Sequence, residues 1–375
     1  MTTARAVLHV GLPKTGTSFL QGTMRANAEL LAGHGVHLPE AEGERLFLAV
    51  LHLTDRSQTW GRSSERGQKH WASVVAEVRG RAATTVISSE TLCLATDEQI
   101  ARILDDLAGV DVDVVVTVRD PARQVPAEWQ EGVKHGRRMG YDEFLDTVLA
   151  EPAPTAPGRR RTRERFWNAQ DPARVLDRWA AQVGVEHVHV VTCPPPGAGR
   201  DLLWQRFASV LGCEAAPVDV PAEANTSLGE VQTEVLRRVN RRMTRKGNEK
   251  AYGDVVKRLY AGTILRGQAG EKVRLPDSHL AEVEQLADSW IAHIERRGHP
   301  VVGDLSDLQP QVTSAGGSQV TKRKLLESSL DATADLLREV ERLRAELASL
   351  RSGRAALPLR GGRKQGGNVS TSGRR

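Results

Sequence analysis

The sequence predicts an α/β protein in which a mostly parallel sheet is flanked by helices and followed by a helical C-terminal part. Short apolar runs rich in β-branched residues alternate with longer segments of helical periodicity, which is the rhythm of a parallel sheet wrapped by helices. The predicted strands cover residues 7–10, 84–88, 112–118 and 187–192. The predicted helices cover residues 16–32, 67–80, 97–108, 121–135, 172–183 and 199–211. With 39% hydrophobic side chains in 375 residues, the chain can bury a substantial core.

Beyond Gly212 the pattern is mainly helical. Amphipathic stretches lie near residues 228–244, 249–266 and 277–298. They predict a helical cap, which completes a body over residues 1–305. The body is followed by a linker over 306–319, a short helix over 320–352 and a tail over 353–375 that is predicted to be disordered. Five apolar residues of the short helix repeat at 4-3-4-3 spacing: Leu336, Val340, Leu343, Leu347 and Leu350. This spacing predicts either a coiled coil that joins two copies in a homodimer or a helix folded back on the body.

The basic character of the chain is concentrated in its tail. Residues 353–375 carry six of the positive charges and no acid, so the net charge of +5 becomes −1 over the other 352 residues. A body without surplus positive charge argues against a nucleic-acid partner. The three cysteines are widely spaced, and the sequence contains neither a signal peptide nor an apolar run long enough to span a membrane. These features predict a cytoplasmic protein without disulfides or a zinc site.

The most informative segment covers residues 7–21, where an apolar strand runs into a glycine-containing turn that opens a helix. Unpaired N–H groups at a helix start favour an anion, and phosphate is the usual one. Gly11 and Gly16 have the spacing of the nucleotide triphosphatase loop, Gly-x-x-x-x-Gly-Lys-Ser/Thr, but Thr17 replaces the lysine of that loop and the lysine stands at Lys14. Phosphoryl transfer normally requires Mg²⁺. Because a sulfuryl group carries less negative charge, its transfer can proceed without metal if a cation meets the leaving phosphate.

Residues 13–18, Pro-Lys-Thr-Gly-Thr-Ser, resemble the 5′-phosphosulfate-binding loop of sulfotransferases, whose donor is 3′-phosphoadenosine 5′-phosphosulfate (PAPS). The resemblance implies a P-loop-like sulfotransferase fold and a reaction that needs no metal. It also implies that Lys14 contacts the 5′-phosphate and the bridging oxygen. The residues implied to bind the 5′-phosphate oxygens are Thr15, Gly16, Thr17 and Ser18.

A second segment strengthens the resemblance. The apolar run 113–118 ends in Arg119-Asp120-Pro121, and sulfotransferases carry their 3′-phosphate-binding arginine in such a context. A guanidinium can hold a phosphate through two parallel hydrogen bonds. The family usually carries a serine eight residues later, where this chain has Ala127. The side chains that could replace it are Arg123, Gln124 and Gln130, and the triplet 245–247, Arg-Lys-Gly, resembles another 3′-phosphate-binding element of the family.

Sulfuryl transfer also requires a group that accepts the proton of the acceptor hydroxyl or amine. Carbohydrate sulfotransferases often carry a glutamate twenty to thirty residues after the loop lysine, and Glu40, Glu42 and Glu44 lie in that window. Glu90 is a separate candidate because it follows the strand 84–88, and His37 and His135 are weaker ones. The segments 60–62 and 159–167 combine aromatic and cationic residues and are predicted as loops that contact the acceptor.

We therefore predict a PAPS-dependent sulfotransferase that acts on a hydroxyl or amine of a small molecule or saccharide. Its catalytic candidates are Lys14, Glu40 and Glu90, and its donor-binding candidates are residues 14–18 and Arg119. Two alternatives remain at this point. One is a P-loop kinase or other nucleotide-binding protein, and the other is a non-catalytic adaptor with a degenerate sulfotransferase fold.

Overall fold

The computed structural model describes residues 4–41, 43–151, 153, 155–220, 227–243, 251–311 and 320–355, without the side chains of 352–355. The strands are β1 Arg5–Gly11, β2 Val36–His37, β3 Thr84–Ser88, β4 Asp111–Val118, β5 Val188–Thr192 and β6 Val301–Val302. The α-helices are α1 Thr17–Ala26, α2 Ala28–Gly33, α3 Glu44–Leu53, α4 Ser64–Arg79, α5 Asp97–Asp106, α6 Pro121–Lys134, α7 Tyr141–Val148, α8 Pro157–Gln170, α9 Pro172–Val183, α10 Leu202–Leu211, α11 Glu230–Arg242, α12 Leu280–Arg297 and α13 Lys322–Ala355. A π-helix covers Tyr252–Ile264, and 3-10 turns include Gln58–Trp60 and Glu90–Leu94.

The strands form one sheet in the order β2-β3-β1-β4-β5-β6, and every pair is parallel. The predicted α/β class is therefore confirmed. The chain leaves β1 toward β2 and β3 on one side, crosses back to β4 on the other side, and continues from there to β5 and β6. The connections after β1 and β4 thus run in opposite directions, which makes the crevice between their carboxyl ends a topological switch point, the usual ligand site of open parallel sheets.

Helices cover both faces of the sheet, because the central strands are apolar on both sides. On one face, Leu8 and Val114 pack in a cluster that receives side chains from α3, α4, α5, α9 and α12. On the other face, Val7 and Val115 pack against α1, α2 and α10. Capping groups set the helix starts: the Asp120 side chain accepts the Arg123 N–H at α6, for example. The switch point is therefore held between two packed layers.

A second core lies beside the sheet and consists of helices alone. It joins α6, α7 and α8 to α11, the π-helix and the beginning of α13, where Leu325 and Ala332 are buried. Beyond Leu337 the large apolar side chains of α13 are exposed. Of the predicted helical cap, α11 and the π-helix belong to this second core, whereas Trp290 and Ile294 of α12 pack on the sheet. Residues 312–319 of the predicted linker and 356–375 of the predicted tail lie outside the described residues.

Three features differ from the sequence-based expectations. The predicted helix 16–32 is divided at Asn27, whose side chain bonds to the backbone N–H and carbonyl of Asp219. The interpretation of 159–167 as a loop is wrong, since this segment lies in α8, where Phe166 is buried and the Trp167 indole donates to the Val148 carbonyl. Helices α3 and α7 and the short strands β2 and β6 were not predicted. Two-residue strands are too short to leave a periodic signal.

Candidate functional site

The loop between β1 and α1 forms the first wall of the switch-point crevice. Lys14 and Gly16 both adopt positive φ angles, 70° and 90°, which turn the chain sharply into α1. No side chain caps the start of α1 among the described residues, so its first N–H groups face the loop. A Cβ at Gly16 would lie 2.5 Å from the Leu203 Cδ2 atom. The predicted turn therefore requires glycine at position 16 for both conformation and space.

Hydroxyl groups tie this loop to β4. The Thr117 hydroxyl donates to the Gly11 carbonyl at 3.0 Å, and the Leu12 N–H donates to the Thr117 carbonyl at 2.9 Å. The buried Thr15 hydroxyl contacts the Leu12 carbonyl and the Thr117 hydroxyl. Any contribution of Thr15 to a bound phosphate therefore comes through its backbone N–H. Ser18, by contrast, is exposed on the first turn of α1.

The predicted phosphate ligand Arg119 lies against the same loop. Its guanidinium donates to the Lys14 carbonyl at 3.1 Å, which joins the two predicted ligands across the switch point. Burial and the neighbouring charge of Arg123 lower the pKa of Arg119. Among the described residues no carboxylate lies within ion-pair distance of Arg119, because Asp120 is engaged by Arg123. A largely buried cation without a counter-ion is costly, and a bound anion would remove that cost.

Lys14 has a partner that sequence reasoning missed. Its ammonium lies 2.8 Å from the Glu131 carboxylate of α6. Burial alone would raise the pKa of Glu131, but the hydrogen bond with His135 and the charge of Lys14 lower it well below its usual range. Glu128, Glu131 and His135 recur at helical spacing after Arg119, and this stripe of ionisable residues is the signal that could have found the site.

Two more lysines converge on the same carboxylate. Lys134 of α6 and Lys257 of the π-helix lie 3.5 and 3.6 Å from Glu131. Lys257 also contacts the His135 imidazole at 2.7 Å. Burial lowers the pKa of both lysines, although the nearby negative charge of Glu131 acts to raise it. Lys14 therefore belongs to a cluster of ammonium groups gathered from three separate elements.

A cavity of about 210 Å³ opens beside the loop, between α1, α3 and the end of β3. Its lining includes Met24, Leu38, Leu46, Phe47, Ser88 and Glu90. Glu90 lies directly against the loop, because a Cβ on Gly11 would be 3.2 Å from the Glu90 Cα atom. Among the described residues, none forms a hydrogen bond or an ion pair with the Glu90 carboxylate. This predicted base candidate thus lies in a mostly apolar cavity next to the lysine loop.

The other base candidates lie at or outside the rim of the cavity. Glu40 is exposed, and its backbone N–H donates to the Glu77 carboxylate at 2.9 Å, while the adjacent Pro39 lines the cavity. Glu44 begins α3 and pairs with Arg62 at 3.2 Å. Glu42 lies outside the described residues. The structure places Glu90, and not Glu40, against Gly11 at the start of the lysine loop.

A buried histidine supports the loop from below. His9 of β1 contacts the Ser88 hydroxyl through Nδ1 at 2.8 Å and the Thr117 hydroxyl through Nε2 at 3.3 Å. Burial lowers the pKa of His9 to about 3, so the imidazole is neutral at physiological pH. His9 therefore joins β1, β3 and β4 directly beneath the site.

The candidates for replacing the absent serine at Ala127 already have partners. The Gln124 amide bonds to Gln170, the Gln130 amide donates to the Leu228 carbonyl at 2.8 Å, and Arg123 pairs with Asp120. The triplet 245–247 lies outside the described residues. Arg119 is thus the predicted 3′-phosphate ligand that forms no ion pair in the described part of the chain.

Comparison with protein-family models, with curated proteins and with solved structures gave no match for this chain. Within the described ranges, no three His, Cys, Asp or Glu side chains are grouped so that they could hold a metal ion. None of the helices in that part of the chain combines the length and the apolar character that crossing a bilayer requires. Function must therefore be argued from the geometry of the site.

Proposed function

We propose that this protein is a sulfotransferase that moves a sulfuryl group from PAPS to a hydroxyl or amine acceptor. The observation that carries the proposal is the pairing of Lys14 and Arg119 across the switch point. The loop that contains Lys14 has positive φ angles and leads into α1. The Arg119 guanidinium donates to the Lys14 carbonyl of this loop; it is largely buried and has no carboxylate partner in the described chain. A donor with two separate phosphate groups supplies an anion for each of these positions.

The residues present fit the chemistry of such a donor. The donor supplies the sulfuryl group, whose bond to the 5′-phosphate oxygen breaks as the acceptor oxygen or nitrogen bonds to sulfur. Lys14 offers an ammonium to the phosphate oxygen that takes the electron pair, and the helix start offers N–H groups to the other oxygens. Arg119 holds the second phosphate and thereby fixes the orientation of the nucleotide.

Glu90 is the best placed group to accept the acceptor proton. It lines the cavity beside the loop and has no recorded competing partner in the described chain. Glu131 is less suited, because its lowered pKa makes it a weak base. Glu40 would have to approach from the exposed rim of the cavity. The proton of the acceptor thus passes to Glu90 while the nucleotide bisphosphate leaves.

Calorimetry with adenosine 3′,5′-bisphosphate, the product nucleotide, tests this proposal. We expect Lys14→Ala and Arg119→Ala each to weaken binding about tenfold or more, since each removes a charge-assisted hydrogen bond. Lys69→Ala and Arg160→Ala are charge-matched controls, because both side chains are exposed and pair with Glu65 and Glu164 on their own helices. Thermal unfolding of each variant checks that it is folded.

Three outcomes decide between the candidate functions. Unchanged binding in both site variants would refute the assignment of the site. Tight binding of ATP with Mg²⁺, without affinity for the bisphosphate, would favour a kinase or other P-loop protein. A folded Lys14→Ala variant that retains full biological activity would favour an adaptor, because a transferase should lose most of its turnover.

A further inference from the structure

The lysine cluster around Glu131 carries more positive charge than its carboxylates balance. In the described residues, three lysines lie within 4 Å of the Glu131 carboxylate, namely Lys14, Lys134 and Lys257. On the same helix, Arg137 pairs with Glu128 at 3.6 Å, so four cationic side chains accompany two carboxylates. Lys14 is needed for the donor in the proposed function, whereas Lys134 and Lys257 are not. A surplus of two positive charges at a half-buried site favours a further anionic group there.

The position of the two additional lysines separates them from the donor's 3′-phosphate. Arg119 precedes the first turn of α6, and Lys134 is the last residue of that helix. At a rise of about 1.5 Å per residue, the two ends of this 14-residue helix are roughly 20 Å apart. Lys14 contacts α6 near its final turns, through Glu131. Lys134 therefore lies at the opposite end of α6 from Arg119, and Lys257 joins it at the carboxylate that Lys14 contacts.

An exposed aromatic ring connects this cluster to the cavity that contains Glu90. The side chain of Trp60 is 49% exposed. Its ring is held edge-on by Phe47, with centroids 5.5 Å apart, and by His135, with centroids 6.3 Å apart. Phe47 lines the cavity, and His135 contacts Lys257. The cavity, the indole and the lysines thus form one continuous surface next to Lys14.

The size of the cavity indicates an acceptor that extends outside it. Its volume of about 210 Å³ is below the roughly 300–1,000 Å³ of pockets that enclose a drug-sized ligand. A single sugar ring can enter such a space, while the rest of an acceptor must lie along Trp60 and the lysines. An exposed aromatic face is suited to the apolar face of a sugar, and ammonium groups are suited to its carboxylates.

We propose that the acceptor is an acidic oligosaccharide containing uronic acid, and that Trp60, Lys134 and Lys257 form its binding surface. This inference rests on the proposed function and names the substrate class of the same site. A sugar ring carrying the reactive hydroxyl or amine enters the cavity beside Glu90. A neighbouring ring stacks on Trp60, and uronate carboxylates pair with Lys134 and Lys257.

Calorimetry on the full chain saturated with adenosine 3′,5′-bisphosphate tests the surface directly. The probes are an unsulfated chondroitin tetrasaccharide, which carries glucuronate carboxylates, and maltotetraose, which is neutral and of similar length. We expect the acidic probe to bind and the neutral one to bind at least about tenfold more weakly. The variants Trp60→Ala and Lys134→Ala/Lys257→Ala should each weaken binding of the acidic probe by about tenfold, while Lys69→Ala should not.

The affinity for the bisphosphate in the same variants distinguishes the two proposals. It should remain unchanged in Trp60→Ala, and in Lys134→Ala/Lys257→Ala it should fall much less than in Lys14→Ala, because these lysines act on the donor only through the local field. A loss of nucleotide affinity in the lysine variant as large as that in Lys14→Ala would assign these lysines to the donor and overturn the inference. Equal binding of the neutral and acidic probes would also overturn it. If the chain binds no bisphosphate but still binds the acidic probe through the lysines, the proposed function fails and the saccharide surface stands.

Discussion

The Lys14–Glu131 ion pair leads to a prediction about donor affinity. The two side chains are 2.8 Å apart and are 28% and 23% exposed. An anion that binds Lys14 at a similar distance would lie roughly 5 Å from the Glu131 carboxylate, where an effective dielectric constant of about 20 gives a repulsion of about 3 kcal/mol. Screening at a partly exposed site reduces this to about 1–2 kcal/mol.

Glu131→Gln should therefore tighten the binding of adenosine 3′,5′-bisphosphate by about tenfold, since about 1.4 kcal/mol corresponds to that factor. Glutamine keeps the shape of the side chain and removes the charge. The same substitution should lower the thermal unfolding midpoint of the free protein, because Lys14, Lys134 and Lys257 lose their shared counter-ion. Calorimetry and thermal unfolding, with and without the nucleotide, measure both effects.

A matched control is available on α4. Lys69 and Glu65 form an ion pair of the same length, 2.8 Å, but both side chains are about three-quarters exposed. Glu65→Gln should change neither nucleotide affinity nor stability measurably. If folded Glu131→Gln binds the bisphosphate no more tightly than the wild type, Glu131 does not compete with the donor for Lys14, and the electrostatic reasoning is refuted.

Three further predictions concern the framework of the site. Because burial lowers the pKa of His9 from 6.5 to about 3, the unfolded chain binds a proton that the folded chain excludes below pH 6.5. The contribution of His9 to the free energy of unfolding is complete above pH 6.5 and decreases toward pH 3, with a loss of about 2 kcal/mol at pH 5. The urea midpoint of His9→Gln should therefore decrease less between pH 7.5 and pH 5 than that of the wild type. Thr117→Val should cost about 1–3 kcal/mol in urea unfolding, because the loop carbonyl loses its donor. Gly16→Ala should weaken bisphosphate binding in calorimetry by about tenfold, since a side chain at a φ of 90° strains the loop.

Each of these predictions has its own control. The Thr85 hydroxyl of β3 is buried without a partner in the described chain, so Thr85→Val should be neutral or stabilising. If Thr85→Val and Thr117→Val reduced the free energy of unfolding equally, the hydrogen bonds of the loop hydroxyl groups would make no specific contribution to stability. An acid sensitivity of His9→Gln equal to that of the wild type would contradict a neutral buried imidazole. Normal nucleotide binding by Gly16→Ala would mean that the loop tolerates a side chain at its tightest point.

The sequence predicted the features of this protein that depend on neighbouring residues. Apolar β-branched runs predicted the four longer strands, and helical periodicity predicted helices such as α6, which begins at Pro121 as expected. The placement of Lys14 and Arg119 at strand ends predicted one shared edge, and the bond from Arg119 to the Lys14 carbonyl confirms their proximity. Strands of a parallel sheet end on the same edge, but the contact also required β1 and β4 to be neighbours, which the sequence did not predict.

The tertiary structure alone decided what surrounds Lys14. Glu131 lies 117 residues away on α6, and Lys257 comes from a helix in a different core. Glu90 was one of several candidate acids until the packing of β3 placed it against Gly11. Side chains from distant segments meet only where hydrophobic packing fixes the relative position of their elements. Local patterns record which face of an element is buried, whereas they do not record which other element covers it.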